Sequence, residues 1–267
     1  MESGNRTVWI VVAVIVVGVL LCCCVVVAGA AVAGLYAFPI SREVGFARME
    51  ETTEQVFIVG EAPSLEVENF AGRVTVRSGE SGEIRVAVTK RALSSDRLDQ
   101  IDVNVSEQDD GVRIRTSGPG VLTGNMSVDL EAFVPADARL ELDTRAGNVE
   151  VDDVRGEIST HSGAGNVRVQ GAAAPVRLDT NAGEIDYEGE PEGDCFFNSA
   201  AGNITLRLPA DANVEVRLRT GVGNINLGDF DVEGETSRTE VEGMIGTGGE
   251  ATIEARTGAG NITLVPH

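Results

Sequence analysis

Basic residues are scarce. The chain of 267 residues carries 21 Lys and Arg against 42 Asp and Glu, a formal net charge of −21, and Lys90 is its only lysine. Without a basic face nothing neutralises a phosphate backbone, which excludes nucleic acid as a partner. Aromatics make up 4% of the chain, and the only tryptophan is Trp9; a deep platform of rings for stacking sugars is therefore disfavoured. Histidine occurs twice, as His161 and His267, so no Ser-His-Asp or Cys-His set can be assembled. The cysteines are Cys22, Cys23, Cys24 and Cys195. Three consecutive thiols lack the spacing of a metal site, and Cys195 alone makes no disulfide framework. What the chain does have is 42% hydrophobic residues, too many for a disordered acidic chain, and 32 glycines. Many glycines, few aromatics and much Val, Ile and Leu point to thin, repetitive β-structure.

From Val8 to Phe38 no side chain is charged. A helix of that length is about 45 Å long, more than the ~30 Å hydrocarbon core requires. Trp9 and Tyr36 suit the two interfaces. The reading is one transmembrane helix over 8–38, between a tail (1–7) and a juxtamembrane linker (39–54). A cleaved signal peptide competes, because Ala31-Val32-Ala33 resembles a small-residue cleavage site, but the apolar run is about twice a signal-peptide core. The short N-terminal side is the easier to leave in the cytoplasm. That gives a single-pass protein of the cell membrane whose C-terminal β-domain is extracytoplasmic. Cys22 to Cys24 read as small apolar fillers in lipid, with reversible acylation as the alternative.

A unit of small residue, Gly, Asn and β-branched residue recurs as Ala146-Gly147-Asn148-Val149, Ala164-Gly165-Asn166-Val167, Ala201-Gly202-Asn203-Ile204, Val222-Gly223-Asn224-Ile225 and Ala259-Gly260-Asn261-Ile262. Variants are Ala71-Gly72-Arg73-Val74 and Ala182-Gly183-Glu184-Ile185. The glycines are spaced 75, 18, 18, 19, 21 and 37 apart. The two long intervals, near four and two times the unit, suggest hidden degenerate turns. After each glycine apolar and polar residues alternate, the pattern of a half-buried strand, and Gly-Asn supplies the positive φ of tight corners. The fold class is all-β: a β-solenoid (β-helix-like) of about 18–20-residue coils, preceded by the N-terminal transmembrane helix. The β-solenoid domain spans 55–267, with degenerate N-terminal coils and one short helix (94–101) in 55–130 and regular repeats in 131–267. The segment 110–127 reads as loop-rich. Stacking in register places Glu150, Arg168 and Asp186 in one outward row about 4.8 Å apart, and Asn148, Asn166, Glu184, Asn203 and Asn224 in another. The strand at Gly260–Leu264 is expected to leave a poorly capped end.

The opening Leu-Glu-Val-Glu-Asn-Phe-Ala-Gly-Arg-Val-Thr-Val at 65–76, the segments Val134–Ala138 and Leu208–Ala212 (both Pro-Ala-Asp-Ala), and the serial Ala-Gly-Asn-Val units resemble the bacterial and archaeal "putative adhesin" family of β-strand repeat proteins, over about residues 55–267. The resemblance implies a cell-surface solenoid of a domain-of-unknown-function family, with no catalytic residues to carry over.

Candidates for chemistry remain few. His161 reads as a solvated corner and Cys195 as core. Asp152-Asp153, Glu184/Asp186/Glu188 and Glu190/Glu192 are the carboxylate sets that a polysaccharide-acting β-helix enzyme would need, 5–10 Å apart with one proton held by burial; outward and flanked by arginine, they read as a hydrated face. Gly246–Glu250 is a loose echo of a calcium turn. The Asn-x-Ser/Thr matches at Asn5, Asn104, Asn125, Asn203 and Asn261 carry little information. Tyr187, Phe196, Phe197 and Phe230 have the spacing of core residues. The expectation is a non-catalytic protein without metal or cofactor, attached to the membrane through 8–38, with a binding, adhesion-like or envelope-sensing role. Its partner would be an envelope component or a surface protein. A self-assembling envelope element and, more remotely, a polysaccharide-acting enzyme are the alternatives.

Overall fold

The computed structural model describes residues 49–119, 125–249 and 251–267. The expected span at 8–38, with Cys22 to Cys24 and Asn5, lies outside the described residues. Among the described residues no helix is long and apolar enough to cross a membrane.

Alternating apolar and polar residues produce strands, and the glycines turn the chain between two facing sheets. Eight two-stranded coils result among the described residues. They are β2 (Ser64–Asn69) with β3 (Val74–Ser78), β6 (Gly111–Ser117) with β7 (Ser127–Val134), β8 (Arg139–Thr144) with β9 (Val149–Asp152), and β10 (Ile158–Ser162) with β11 (Val167–Ala172). Then follow β12 (Val176–Ala182) with β13 (Ile185–Gly189), β14 (Asp194–Ala201) with β15 (Ile204–Leu208), β16 (Val214–Val222) with β17 (Ile225–Asn226), and β20 (Ala251–Ala259) with β21 (Ile262–Pro266). First members share one sheet and second members the other, and neighbouring coils pair in parallel.

The core lies between the sheets as rows. One runs Leu140, Ile158, Val176, Cys195, Ile253, Val216; facing it run Val149, Val167, Ile185, Ile204 and Ile262, all buried. Burying each large aliphatic side chain contributes about 1.5–3 kcal/mol. A one-residue slip would turn a whole row into water, so this pattern fixes the register.

The ends depart from a simple stack. In space the coils run β6/β7, β2/β3, β8/β9, then in sequence order to β14/β15, β20/β21 and β16/β17. At each end the coil nearer the chain terminus slots between the outermost coil and the body. The strand at 262–266, expected to be a poorly capped end, therefore sits between β15 and β17. The 75-residue glycine interval hides one coil, β6/β7, and the 37-residue interval hides none. Gly72 and Gly147 are stacked neighbours, as are Gly223 and Gly260, and the N–H of Gly72 donates to Ala146 and that of Gly260 to Val222, both at 2.9 Å.

Antiparallel strands occupy the rest of the intervals. β1 (Met49–Ile58) and β4 (Glu83–Ala92) extend one sheet beyond β7, and β5 (Asp102–Gln108) extends the other beyond β6. At the far end the hairpin β18 (Val232–Thr236) and β19 (Glu240–Ile245) pairs with β16. Residues 49–54, expected as linker, thus belong to a strand, and the loop-rich segment contains β6. The expected helix is a single turn, α1 (Ser95–Leu98): Ser94 caps it in extended geometry without a side-chain hydrogen bond, and Leu98 is buried.

Candidate functional site

The glycine corner is built coil on coil. Gly147, Gly165, Gly202, Gly223 and Gly260 have φ between +151° and +158°. A Cβ on Gly165 would lie 2.5 Å from the Gly147 carbonyl carbon, so the corner needs glycine for close approach as well as for φ. Beside it runs the amide row. The Asn148 Oδ1 accepts the Asn166 N–H (3.0 Å), Asn166 that of Glu184 (2.9 Å), Asn203 that of Asn261 (2.9 Å), and Asn261 that of Asn224 (2.9 Å). These bonds join neighbouring coils, and Asn261 stands between Asn203 and Asn224. The Asn-x-Ser/Thr matches Asn203 and Asn261 are members of this row; Asn104 and Asn125 are exposed.

Behind the corner lies a row that sequence reasoning missed: Thr116, Asn69, Thr144, Ser162, Thr180, Ser199, Thr257 and Thr220, in register and all buried. Ser162 donates to the Gly147 carbonyl (3.1 Å), Thr180 to Gly165 (3.1 Å), Ser199 to Gly183 (2.9 Å), Thr257 to Gly202 (2.8 Å) and Thr220 to Gly260 (2.8 Å). The signal was present, since a Ser, Thr or Asn stands three residues before each repeat glycine.

On the outward faces most carboxylates face arginine. Arg168 stands opposite Glu150 on one side and Asp186 on the other, as expected, and its guanidinium donates to Asp186 at 2.8 Å. That hydrogen bond, with the charge of the same carboxylate, raises the Arg168 pKa above the ordinary arginine value. Asp186 also pairs with Arg207, and Asp152 with Arg77 at 3.3 Å. Glu184 accepts from the Asn203 amide at 3.2 Å. On the other face His161 lies mid-strand rather than at a corner, exposed between Asp143 and Asp179. Phe196 corrects another expectation: strand alternation puts Cys195 and Phe197 in the core and Phe196 outside, with the Arg177 guanidinium 5.8 Å from its ring centroid. Tyr187 is buried against Phe197, with ring centroids 5.0 Å apart, and Phe230 is half-buried.

At the second corner the pattern changes. Asp153, Glu188, Glu190 and Glu192 gather with Arg155 and His267 around an open hollow of about 540 Å3, floored by Gly171, Ala172, Ala173 and Gly189. Glu188 accepts a hydrogen bond from Gln170 at 3.4 Å; the four carboxylates make no ion pair among the described residues. Asp153 adopts φ 58° to turn this corner. Of the sequence candidates, Asp153, Glu188, Glu190 and Glu192 thus come together, whereas Asp152, Glu184 and Asp186 do not join them. Beneath, the Tyr187 hydroxyl is buried without a hydrogen-bond partner. Burial raises its pKa, with smaller contributions from Cys195, Glu190 and Glu192, and burial pushes the Cys195 thiol up to about 11. Chemically the hollow can attract cationic or hydroxyl-rich ligands from water.

The calcium-like echo is a turn pinned to Asn213, whose Oδ1 accepts the Thr247 N–H (3.0 Å) and hydroxyl (3.1 Å); Glu250 lies outside the described residues. Among the described residues no group of three or more His, Cys, Asp or Glu side chains is disposed to hold a metal.

Residues 63–265 match the family model described as Toastrack DUF4097. Comparison with curated proteins gave no match. Among solved structures the chain is similar to a "putative cell adhesion protein" from Clostridium sporogenes, at 15% identity and TM-score 0.48, over 80% of this chain and 99% of that one. It is also similar to a "putative adhesin" from Bacteroides fragilis (13%, TM-score 0.44, 80% and 97%) and a "putative lipid binding protein" from Parabacteroides distasonis (12%, TM-score 0.33, 81% and 96%). Likeness at this level says nothing of what the chain binds.

Proposed function

The chain belongs to the Toastrack DUF4097 family, a domain of unknown function, and on that premise we propose that it is a membrane-anchored, non-catalytic binding protein. Its single anchor is the uncharged stretch 8–38, its β-domain faces outward, and its ligand is a component of the cell envelope. One observation carries the binding role. On the flat faces most carboxylates are matched with arginines, whereas at the second corner Asp153, Glu188, Glu190 and Glu192 line a hollow with Arg155 as the only cation of fixed charge. Unmatched surface charge of one sign steers and holds ligands of the opposite sign or of many hydroxyls. Stacked coils repeat their outward positions, so a polymeric ligand engages several weak contacts at once.

The test is retention of the purified full-length chain in detergent on wall glycan, lipid and membrane-protein fractions of its own envelope. The reading expects saturable retention by one fraction, weakened at least tenfold by E188Q/E190Q/E192Q. No retention by any fraction, or retention unchanged by the triple substitution, overturns it.

A further inference from the structure

Among the described residues no strand pairs with the outer edge of β1. The sheet containing β3 ends at β1, whose register with β4 runs without a shift from Met49 opposite Ala92 to Ile58 opposite Glu83. Its sequence, MEETTEQVFI, holds no Pro, Gly, Lys or Arg, and it has no bulge, so of the usual devices that blunt an edge it keeps only the charge of three glutamates. At the opposite end of the same sheet β17 has two residues, and its Ile225 N–H is taken by the Arg238 carbonyl at 2.9 Å. Three of the six exposed large hydrophobics among the described residues, Met49, Val56 and Ile58, lie on β1. Its charge is mostly matched from β4, Glu50 by Arg91 and Glu51 by Lys90 at 3.9 Å, leaving Glu54 without an ion pair.

We propose that β1 is a self-association edge, on which two copies of this chain pair antiparallel about a two-fold axis through Thr53. A two-fold axis normal to a continuous sheet keeps each residue opposite one of its own face. With the axis at Thr53, Glu54 stands opposite Thr52, Glu51 opposite Gln55, Glu50 opposite Val56, and Met49 opposite Phe57. No two glutamates meet. Moving the axis to Thr52 sets Glu50 against Glu54, and moving it to Glu54 sets that residue against itself, which like-charge repulsion disfavours. On the inner face Phe57 already packs on the core. A partner's Met49 would lie over it, beside a groove of about 280 Å3 lined by Thr53, Gln55, Val86, Val88, Val103 and Val105. Main-chain hydrogen bonds supply affinity in such strand addition, and the alternating side chains supply register.

The test uses the full chain in detergent with C22A, C23A and C24A, so that buried Cys195 is the only native thiol left. In this background T53C places two thiols on the axis, where directly opposed residues have Cα atoms about 4.5–5.5 Å apart, within disulfide range. Mild oxidation is expected to give a covalent dimer at least ten times faster for T53C than for V222C, an exposed control at the other end of the domain. Mixed E51C and Q55C chains should form the heterodimer in preference to either homodimer. T53K, with unchanged far-UV circular dichroism, should weaken self-association in sedimentation at least tenfold. Equal cross-linking of T53C and V222C, or T53K that associates like the unsubstituted chain, overturns the proposal. Neither outcome depends on envelope binding at the hollow.

Discussion

Three glycine-to-alanine substitutions separate the two demands made on the corner. Gly82 has φ +83° and nothing within 4 Å of an added Cβ; Gly82→Ala should cost only the backbone term, about 1–3 kcal/mol. Gly183 has no left-handed φ, yet its Cβ would lie 2.5 Å from the Gly165 carbonyl carbon. Gly183→Ala should cost only the overpacking term, about 1–3 kcal/mol, because the atom it meets is backbone held in a ladder. Gly165 combines φ +151° with the same approach to Gly147. Gly165→Ala should therefore lose about 2–6 kcal/mol, a large share of the ~5–15 kcal/mol that holds a domain together. Urea denaturation followed by far-UV circular dichroism orders the three by midpoint. A Gly165→Ala protein no less stable than Gly82→Ala would refute the claim that coil-to-coil approach dictates the repeat glycine.

The hydroxyl row makes a paired prediction. Ser199→Ala should cost about 1 kcal/mol by stranding the Gly183 carbonyl, whereas Thr144→Val should be neutral or stabilising, because the Thr144 hydroxyl is buried without a partner. The Cys195 thiol, raised by burial from 9.0 to about 11, makes stability fall as pH rises. Below pH 9 its contribution is fully present; between pH 9 and 11 the unfolded chain releases a proton that the folded chain keeps, a loss on the order of 3 kcal/mol. Denaturation midpoints should show that slope, and Cys195→Ala should flatten it from pH 9 to 10, before Tyr187 adds its own. Hydrogen exchange should find β21 as protected as β15, because it lies inside the stack, while Asn226 on β17 exchanges early.

Register was legible in the sequence because a fixed period leaves one way to stack: Arg168 meets Glu150 and Asp186 since all three sit three residues past a repeat glycine. The order of the end coils was not. Intervals of 37 and 75 residues fit hidden coils, antiparallel inserts or both, and only the pairing of Gly72 with Gly147 and of Gly223 with Gly260 shows which coils are neighbours. The hydroxyl row escaped notice because Ser162 or Thr180 on a strand reads as outward as easily as inward until the carbonyl it meets is known. The hollow was half legible. Glu188, Glu190 and Glu192 are close in sequence, but Asp153, Arg155 and His267 join them only through the shape of the second corner. Phe196 misled for a simpler reason, since adjacent strand residues point to opposite faces and two neighbouring phenylalanines cannot both be core.

The proposal that the β-domain is anchored outside the cell is what would bring the hollow to the envelope, and impermeant thiol labelling tests it most directly. Val222 is 73% exposed and Cys195 is buried. In intact cells of its source, a C22A/C23A/C24A/V222C chain should react with a membrane-impermeant maleimide and remain with the membranes through an alkaline wash. Labelling that appears only after lysis, or a labelled chain that washes free of the membranes, would contradict the account.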